Sequence, residues 1–445
     1  MKTETINVEE VLARFDPAQE GELIHATARE LYPICRSITG QGVRQSLAIL
    51  QRTVPLELRE VPTGTQVLDW VVPKEWNIRA AWIKNTRGEK VVDFAQHNLH
   101  VLNYSVPVHQ RMRLEELRPH LFSVPEHPAW IPYRTSYYQE TWGFCLSHKQ
   151  LCALGDQEYE VFIDSSLAPG HLTYGELFLP GSTGEEVLFS CHSCHPSLAN
   201  DNLSGMAVAA HLAAQLSRLA VRRYSYRFLW LPGTIGALTW LANNEKGLDR
   251  IRHGLVLSCL GDRGGFNYKK SRRGDAAIDR VVVQALRDGG GDFGTRDFVP
   301  YGYDERQYGS PGFNLPVGAL TRTPNGEYPE YHTSADDLNF IAPLALGQSL
   351  GALLRCVFIL ESNQTFRNLF PKGEPQLGRR GLYASLGGMK NVPQLQMAML
   401  WVLNYSDGSN DLLRIAERSG LSFQVIHAAS ALLARHGLLA PATLA

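Results

Sequence analysis

No stretch of this 445-residue chain approaches the roughly 18 uninterrupted apolar residues that a membrane helix requires, so the sequence does not read as membrane-spanning. The first thirty residues lack the basic start and apolar core of an export signal; they carry Glu4, Glu9, Glu10 and Asp16 among short apolar groups. Cysteine is scarce and odd in number, seven in all, which fits a reducing compartment better than a disulfide framework, and the expected location is cytoplasmic. An excess of either charge is also missing. With 43 Lys plus Arg against 44 Asp plus Glu, no global field draws the chain to nucleic acid or anionic lipid.

What is present is enough apolar sequence, 44%, for two or three compact units. Five of the eight tryptophans, Trp70, Trp76, Trp82, Trp130 and Trp142, crowd into one segment. There short extended runs, Ala80 to Ile83, Lys90 to Phe94 and Val101 to Val106, are broken by Pro, Gly and Asn, the texture of a small β-rich insert over residues 67–155. Helical spacing precedes it at Gly21 to Ile34 and Gln41 to Thr53. After it, from about Glu160 to Ser362, strands alternate with helices. The fold class is α/β, a mostly parallel twisted sheet covered by helices and interrupted by the insert, the larger domain being residues 1–66 and 156–370. Three further helical patterns, from Val392, Asn410 and Ser422, predict a winged helix over residues 380–445. Its candidate recognition helix, Phe423 to Arg435, offers His427, Arg435 and His436 but no basic stripe, so a structural or dimerising use is expected rather than DNA binding.

In a parallel sheet, functional residues gather at the carboxyl ends of the strands. Cys191, His192, Ser193, Cys194 and His195 end one strand, and Asp201 follows at the start of a helix in Asn200, Asp201, Asn202, Leu203, Ser204, Gly205. Asp262 stands past the strand Gly254 to Leu260, and His332 lies in the polar cluster Glu330 to Asp336. Imidazoles and carboxylates brought to one sheet edge are candidate zinc ligands. Cys191 and Cys194 bracket a strand end rather than opening a helix, which argues against a redox pair and for a place beside the metal. Gly289 to Gly291 follows a helix and reads as a turn, not a phosphate cradle. Tyr303, Tyr308, Phe313, Tyr328 and Tyr331 are either core or the wall of a substrate pocket.

Asp201 to Gly205 resembles the Asp-Asn-Ala/Leu-Ser-Gly motif of the co-catalytic zinc aminopeptidases. Over most of its length the chain is more closely similar to aminopeptidase-like proteins named for polysaccharide biosynthesis, through His192 to Gly205, Asp304 to Leu320 and Arg322 to Asp337. Those proteins combine a β-rich insert, the peptidase domain and a terminal winged helix. The resemblance implies one or two zinc ions, with Asp201 bridging, His192 and Asp262 completing one site and His332 belonging to the other. His195 is the alternative to His192, because Cys194 replaces the family's usual carboxylate two residues on; His192 is favoured by its place at the strand end. The implied activity is hydrolysis at the amino end of a peptide or amino-acid conjugate, with Asp304, Arg306, Tyr308 and Tyr331 meeting substrate. Self-association through the C-terminal or inserted domain is a further expectation, and neither membrane nor nucleic acid is an expected partner.

One departure bears on catalysis. Aminopeptidases of this class carry adjacent glutamates after a strand, a general base and a metal ligand, whereas this chain reads Pro232, Gly233, Thr234. Glu305 is the acid best placed to supply the base, unless it pairs with Arg306 or another basic residue on a solvated loop. Otherwise the site serves a different reaction, or it binds a ligand without turnover.

Overall fold

The computed structural model describes residues 7–382 and 394–442. Its main sheet has eight strands in the order Glu57–Pro62, His171–Leu179, Ser225–Leu231, Glu186–His192, Ile251–Leu257, Val317–Thr321, Phe266–Lys269, Phe293–Arg296. The four from Ser225–Leu231 to Val317–Thr321 are mutually parallel, and antiparallel pairs flank them, so the sheet is mixed with a parallel centre. Glu186–His192 is buried at every residue because helices cover both faces. On one face Val187, Phe189 and Cys191 pack with the helices Pro17–Leu31, Gly205–Ser217, Ala277–Gly289 and Pro343–Ser362. On the other, Leu188, Leu229 and Leu231 meet Trp240 of the helix Ile235–Asn244 and residues of the insert.

Pro343–Ser362 is the one helix among the described residues long and apolar enough to cross a membrane, and most of it is packed inside the protein. Glycine permits its close crossing with Pro17–Leu31: a Cβ on Gly21 would stand 2.0 Å from the Pro343 carbonyl oxygen, and one on Gly347 1.7 Å from that of Pro17.

The insert is larger than its tryptophan-rich stretch. Its four-stranded antiparallel sheet, in the order Lys90–Asp93, Glu75–Lys84, Glu158–Ala168, Val108–Arg113, takes in Glu158–Ala168, which corrects the boundary at residue 155. The alternating burial of that strand matches a one-sided sheet, whereas sequence position alone assigned it to the larger domain. The extended run from Val101 to Val106 is not a strand. It makes isolated bridges at Val101 and Asn103, scattered backbone bonds from Leu102 to Gly143 and from Val106 to Thr141, and side-chain bonds from Asn103 and Ser105.

The winged helix begins earlier than residue 380. Thr365–Asn368 pairs with both Asp407–Asp411 and Leu439–Pro441, and the helices Gln394–Tyr405, Leu412–Ser419 and Phe423–Arg435 pack on that sheet. Val392, where the first helical pattern starts, lies outside the described residues. Gly290 and Gly291 have positive φ just past the helix Ala277–Gly289, as a turn requires.

Candidate metal centre

The motif from Asn200 to Gly205 builds its own platform. Asp201 and Asn202 leave helical geometry, and their neighbours satisfy the exposed backbone groups. Asn202 accepts from the Gly205 and Cys259 N–H groups, both at 3.2 Å, and donates to the Leu257 carbonyl at 3.0 Å. Ser204 Oγ accepts from the Leu260 N–H at 2.9 Å and donates to the Asn200 carbonyl at 2.6 Å. A Cβ at Gly205 would lie 2.6 Å from the Leu257 carbonyl oxygen, so the last motif position must be glycine for helix and strand to meet. Two strand ends and one helix start are thereby fixed around Asp201.

The Asp201 carboxylate is fully buried and shared by three histidines. His192 Nε2 lies 2.7 Å from Oδ1; His195 Nδ1 and His332 Nε2 lie 3.2 Å and 3.0 Å from Oδ2. Burial alone would raise the Asp201 pKa, but His195 and His192 outweigh it and hold the carboxyl well below its ordinary range. Burial lowers His332, against the pull of Asp201, which favours the neutral imidazole that ligates metal. His192, His195 and Asp201 present donor atoms all within 4.8 Å of one another, a set that fits one divalent ion, with His332 on the far oxygen of the same carboxylate. His192 and His195 therefore both belong to the cluster.

Asp262 is placed elsewhere. Its oxygens accept from Asn200 Nδ2 at 3.1 Å, the Gly264 N–H at 2.7 Å, and the Thr323 N–H and hydroxyl at 3.1 Å and 2.7 Å. These bonds tie the loops at two strand ends together and leave the carboxylate outside the histidine cluster.

The segment from Tyr303 to Tyr308 divides its expected roles. The Tyr303 ring stacks on His192 with centroids 4.1 Å apart, Tyr331 stacks on His332 at 4.0 Å, and the two hydroxyls lie 3.0 Å apart, forming a wall over the centre. Tyr308 is core: it is fully buried and bonded to Ser190 Oγ at 2.9 Å, so it is not part of the wall. Tyr328 is also buried, with its hydroxyl 3.6 Å from Cys259 Sγ. Phe313 and half-buried Arg306 are not in the wall.

Glu305 is buried and ion-paired with Lys269, not Arg306, in a cavity of about 320 Å³ bordered by Tyr303. Asp304 turns toward the gap at Gly233. Its Oδ2 lies 3.7 Å from where a Cβ at position 233 would stand, and that Cβ would sit 3.2 Å from the Cβ of His192. Asp304 Oδ1 is buried without a hydrogen-bond partner, and burial, with Glu305 adding repulsion against the opposing pull of Arg306, pushes the carboxyl up to about 7. Cys191 and Cys194 are free, buried thiols; burial pushes Cys194 up to about 12, and its Sγ reaches the Gly233 carbonyl at 3.9 Å. No disulfide links them.

Sequence reasoning passed over Asp336, whose carboxylate accepts from the N–H groups of Asn200 at 2.6 Å and Asp201 at 3.0 Å. Its place four residues past His332 in the polar cluster was the available signal. Tyr133 of the insert gave no signal, yet its ring centroid lies 5.1 Å from those of both His195 and His332.

A family model described as a domain of unknown function, DUF4910, matches residues 25–363, and a winged helix-turn-helix model matches residues 364–441. A Clostridium acetobutylicum protein named for polysaccharide biosynthesis and for an aminopeptidase-like domain is 50% identical over 422 residues, covering 95% of this chain and 97% of its own. A crystal structure from Clostridium acetobutylicum, named as a peptidase, superposes with a TM-score of 0.93 at 47% identity, covering 98% of this chain and all of the other. A zinc aminopeptidase from Bacillus subtilis shares the fold at 12% identity, with a TM-score of 0.56 over 77% of this chain and 95% of its own. The α/β domain thus has the aminopeptidase fold.

Proposed function

The chain belongs to the DUF4910 family and joins that domain to a winged helix-turn-helix, and from this premise we propose that it is a zinc-dependent hydrolase acting on the amino end of a peptide or amino-acid conjugate. The observation that carries the reading is the buried Asp201 carboxylate held jointly by His192, His195 and His332 at the carboxyl edge of the sheet. His192, His195 and Asp201 would hold an ion, with His332 on the far side of the shared carboxylate, and the ion when bound supplies Lewis-acid polarisation of a carbonyl and activation of water. Tyr303 and Tyr331 lie over the imidazoles and limit how a substrate approaches. The aminopeptidase-like name of the Clostridium relative supports hydrolysis, and its biosynthetic name supports a tailored conjugate as substrate.

The resemblance puts a general base at position 233, where this chain has glycine. Glu305 is committed to Lys269, which leaves Asp304 as the nearer acid to that gap and the better candidate to accept a proton. Gly233 also favours a second reading, a retired centre in a binding or scaffold protein. One experiment separates the two: zinc content of the purified protein, followed by release of free amino acid from a panel of peptides and amino-acid amides. Bound zinc with release supports the hydrolase, and bound zinc without release supports the second reading. Asp201→Ala is expected to abolish stoichiometric zinc; full zinc in that variant removes Asp201 from the ligand set.

A further inference from the structure

The His195 and His332 loops belong to the α/β domain, and the insert braces both, His332 directly and His195 through Arg36. Residues 131–134 run beside the His332 loop. The Tyr133 N–H donates to the His332 carbonyl at 2.8 Å, the Ser334 N–H donates to the Ile131 carbonyl at 2.8 Å, and the Ile131 N–H donates to Ser334 Oγ at 3.0 Å. His332 itself has φ +56°, a left-handed conformation that a residue with a Cβ adopts only when its surroundings impose it. The two-sided backbone pairing supplies that constraint.

Tyr133 then acts on both imidazoles at once. Its buried ring stands edge-on to His195, at 5.1 Å and 71°, and to His332, at 5.1 Å and 89°. These are the edge-to-face arrangements aromatic rings prefer. Its hydroxyl lies 2.7 Å from that of Tyr137, which anchors the outer end of the ring. Buried Asn103 extends the bracing: it exchanges backbone bonds with Arg134 and Ser136 and donates from Nδ2 to the Arg36 carbonyl at 3.1 Å. The Arg36 guanidinium in turn donates to the His195 carbonyl at 3.0 Å.

We infer that Tyr133 is a positioning residue of the metal centre, and that the β-rich insert exists in part to set the orientation of His195 and His332. The inference rests on the metal-binding part of the proposed function and not on hydrolysis. Groups that orient metal-ligating histidines commonly change metal affinity 10-fold to 100-fold when removed.

The test is zinc affinity by chelator competition, with the visible absorption of the cobalt-substituted protein as a second readout. Tyr133→Ala is expected to weaken zinc roughly 10-fold to 100-fold and to shift the cobalt spectrum, while Tyr133→Phe, which keeps the ring, holds zinc as the wild type does. Should Tyr133→Ala not fold, Tyr133→Leu replaces it with the same expectation. Wild-type affinity and an unchanged cobalt spectrum in a folded Ala or Leu variant overturn the positioning role and leave hydrolysis standing. Wild-type protein that binds zinc but releases no amino acid overturns hydrolysis and leaves Tyr133 to be judged by affinity. Wild-type protein that binds neither metal overturns both.

Discussion

Where the insert reaches the histidine loops and where the winged helix reaches the helix Pro343–Ser362, the α/β domain makes contacts of opposite character. The insert shares an apolar cluster with one sheet face, but at the carboxyl edge its contact is polar: Tyr133 bonds the His332 loop directly, and Asn103 reaches His195 through Arg36 of the α/β domain. The winged-helix seam is apolar and distant in kind: Phe423 packs edge-on to Phe358 at 5.6 Å, inside one hydrophobic cluster that runs from the helix Pro343–Ser362 into Ile426 and Leu433. The second helix of the helix-turn-helix is pinned at its start, with the Phe423 N–H donating to Asp288 at 2.8 Å. That end, which in DNA-binding relatives of the motif contacts base edges, is spent on the α/β domain. A polar, directional seam transmits orientation; an apolar one transmits stability.

Breaking the apolar seam has the largest expected effect on stability. Phe423→Ala should cost about 3–5 kcal/mol, because a fully buried aromatic leaves a cavity between two packed units. Calorimetry should show the whole protein melting in one lowered transition; a separate winged-helix transition in the wild type would break the claim of a continuous core.

Next comes the buried acid at the carboxyl edge of the sheet. Asp304 titrates at about 7 when folded, against roughly 4 for an unfolded aspartate, so the folded state binds the extra proton between those values. Stability therefore falls as pH rises through that window, by up to roughly 4 kcal/mol above pH 7. Asp304→Asn should match the wild type near pH 4 and exceed it in melting temperature at pH 8. Equal melting curves at both pH values would show that the carboxyl is not buried as described.

On the polar seam, Asn103→Ala removes the acceptor for Ser37 and the donor to Arg36, a loss of roughly 1–3 kcal/mol read by urea denaturation. Zinc affinity should fall with it, whereas Phe423→Ala should leave the zinc affinity of the still-folded fraction unchanged. That pairing sharpens the contrast between the seams. The smallest effect belongs to Arg280→Ala, which removes half-exposed ion pairs to Glu417 and Asp411 and should cost about 1 kcal/mol or less. A much larger loss would mean that charge, not apolar packing, holds the winged helix.

Much of this arrangement is legible in the chain. The helix Ile235–Asn244 and the strand Glu186–His192 follow from apolar periodicity and from punctuation by Gly and Pro. Asp201 and His192 are found because their motif is contiguous, and each motif residue has a local job: Asn202 and Ser204 satisfy nearby backbone groups, and Gly205 admits the strand. Such local chemistry is set by near neighbours in sequence, which is why it can be read there.

Tertiary structure alone decided the rest. Asp262 and Asp201 look equivalent as acids past strand ends, yet one spends its oxygens on Thr323, Gly264 and Asn200 and the other gathers three imidazoles. Asp304 and Glu305 are adjacent in sequence, but the backbone turns one toward Gly233 and the other toward Lys269. Tyr133 lies about two hundred residues from His332 in sequence and touches it only because the insert folds back over the sheet edge. The physical reason is the same in each case: a carboxylate or a ring has no fixed role until burial and its nearest donors are set, and those come from segments remote in the chain.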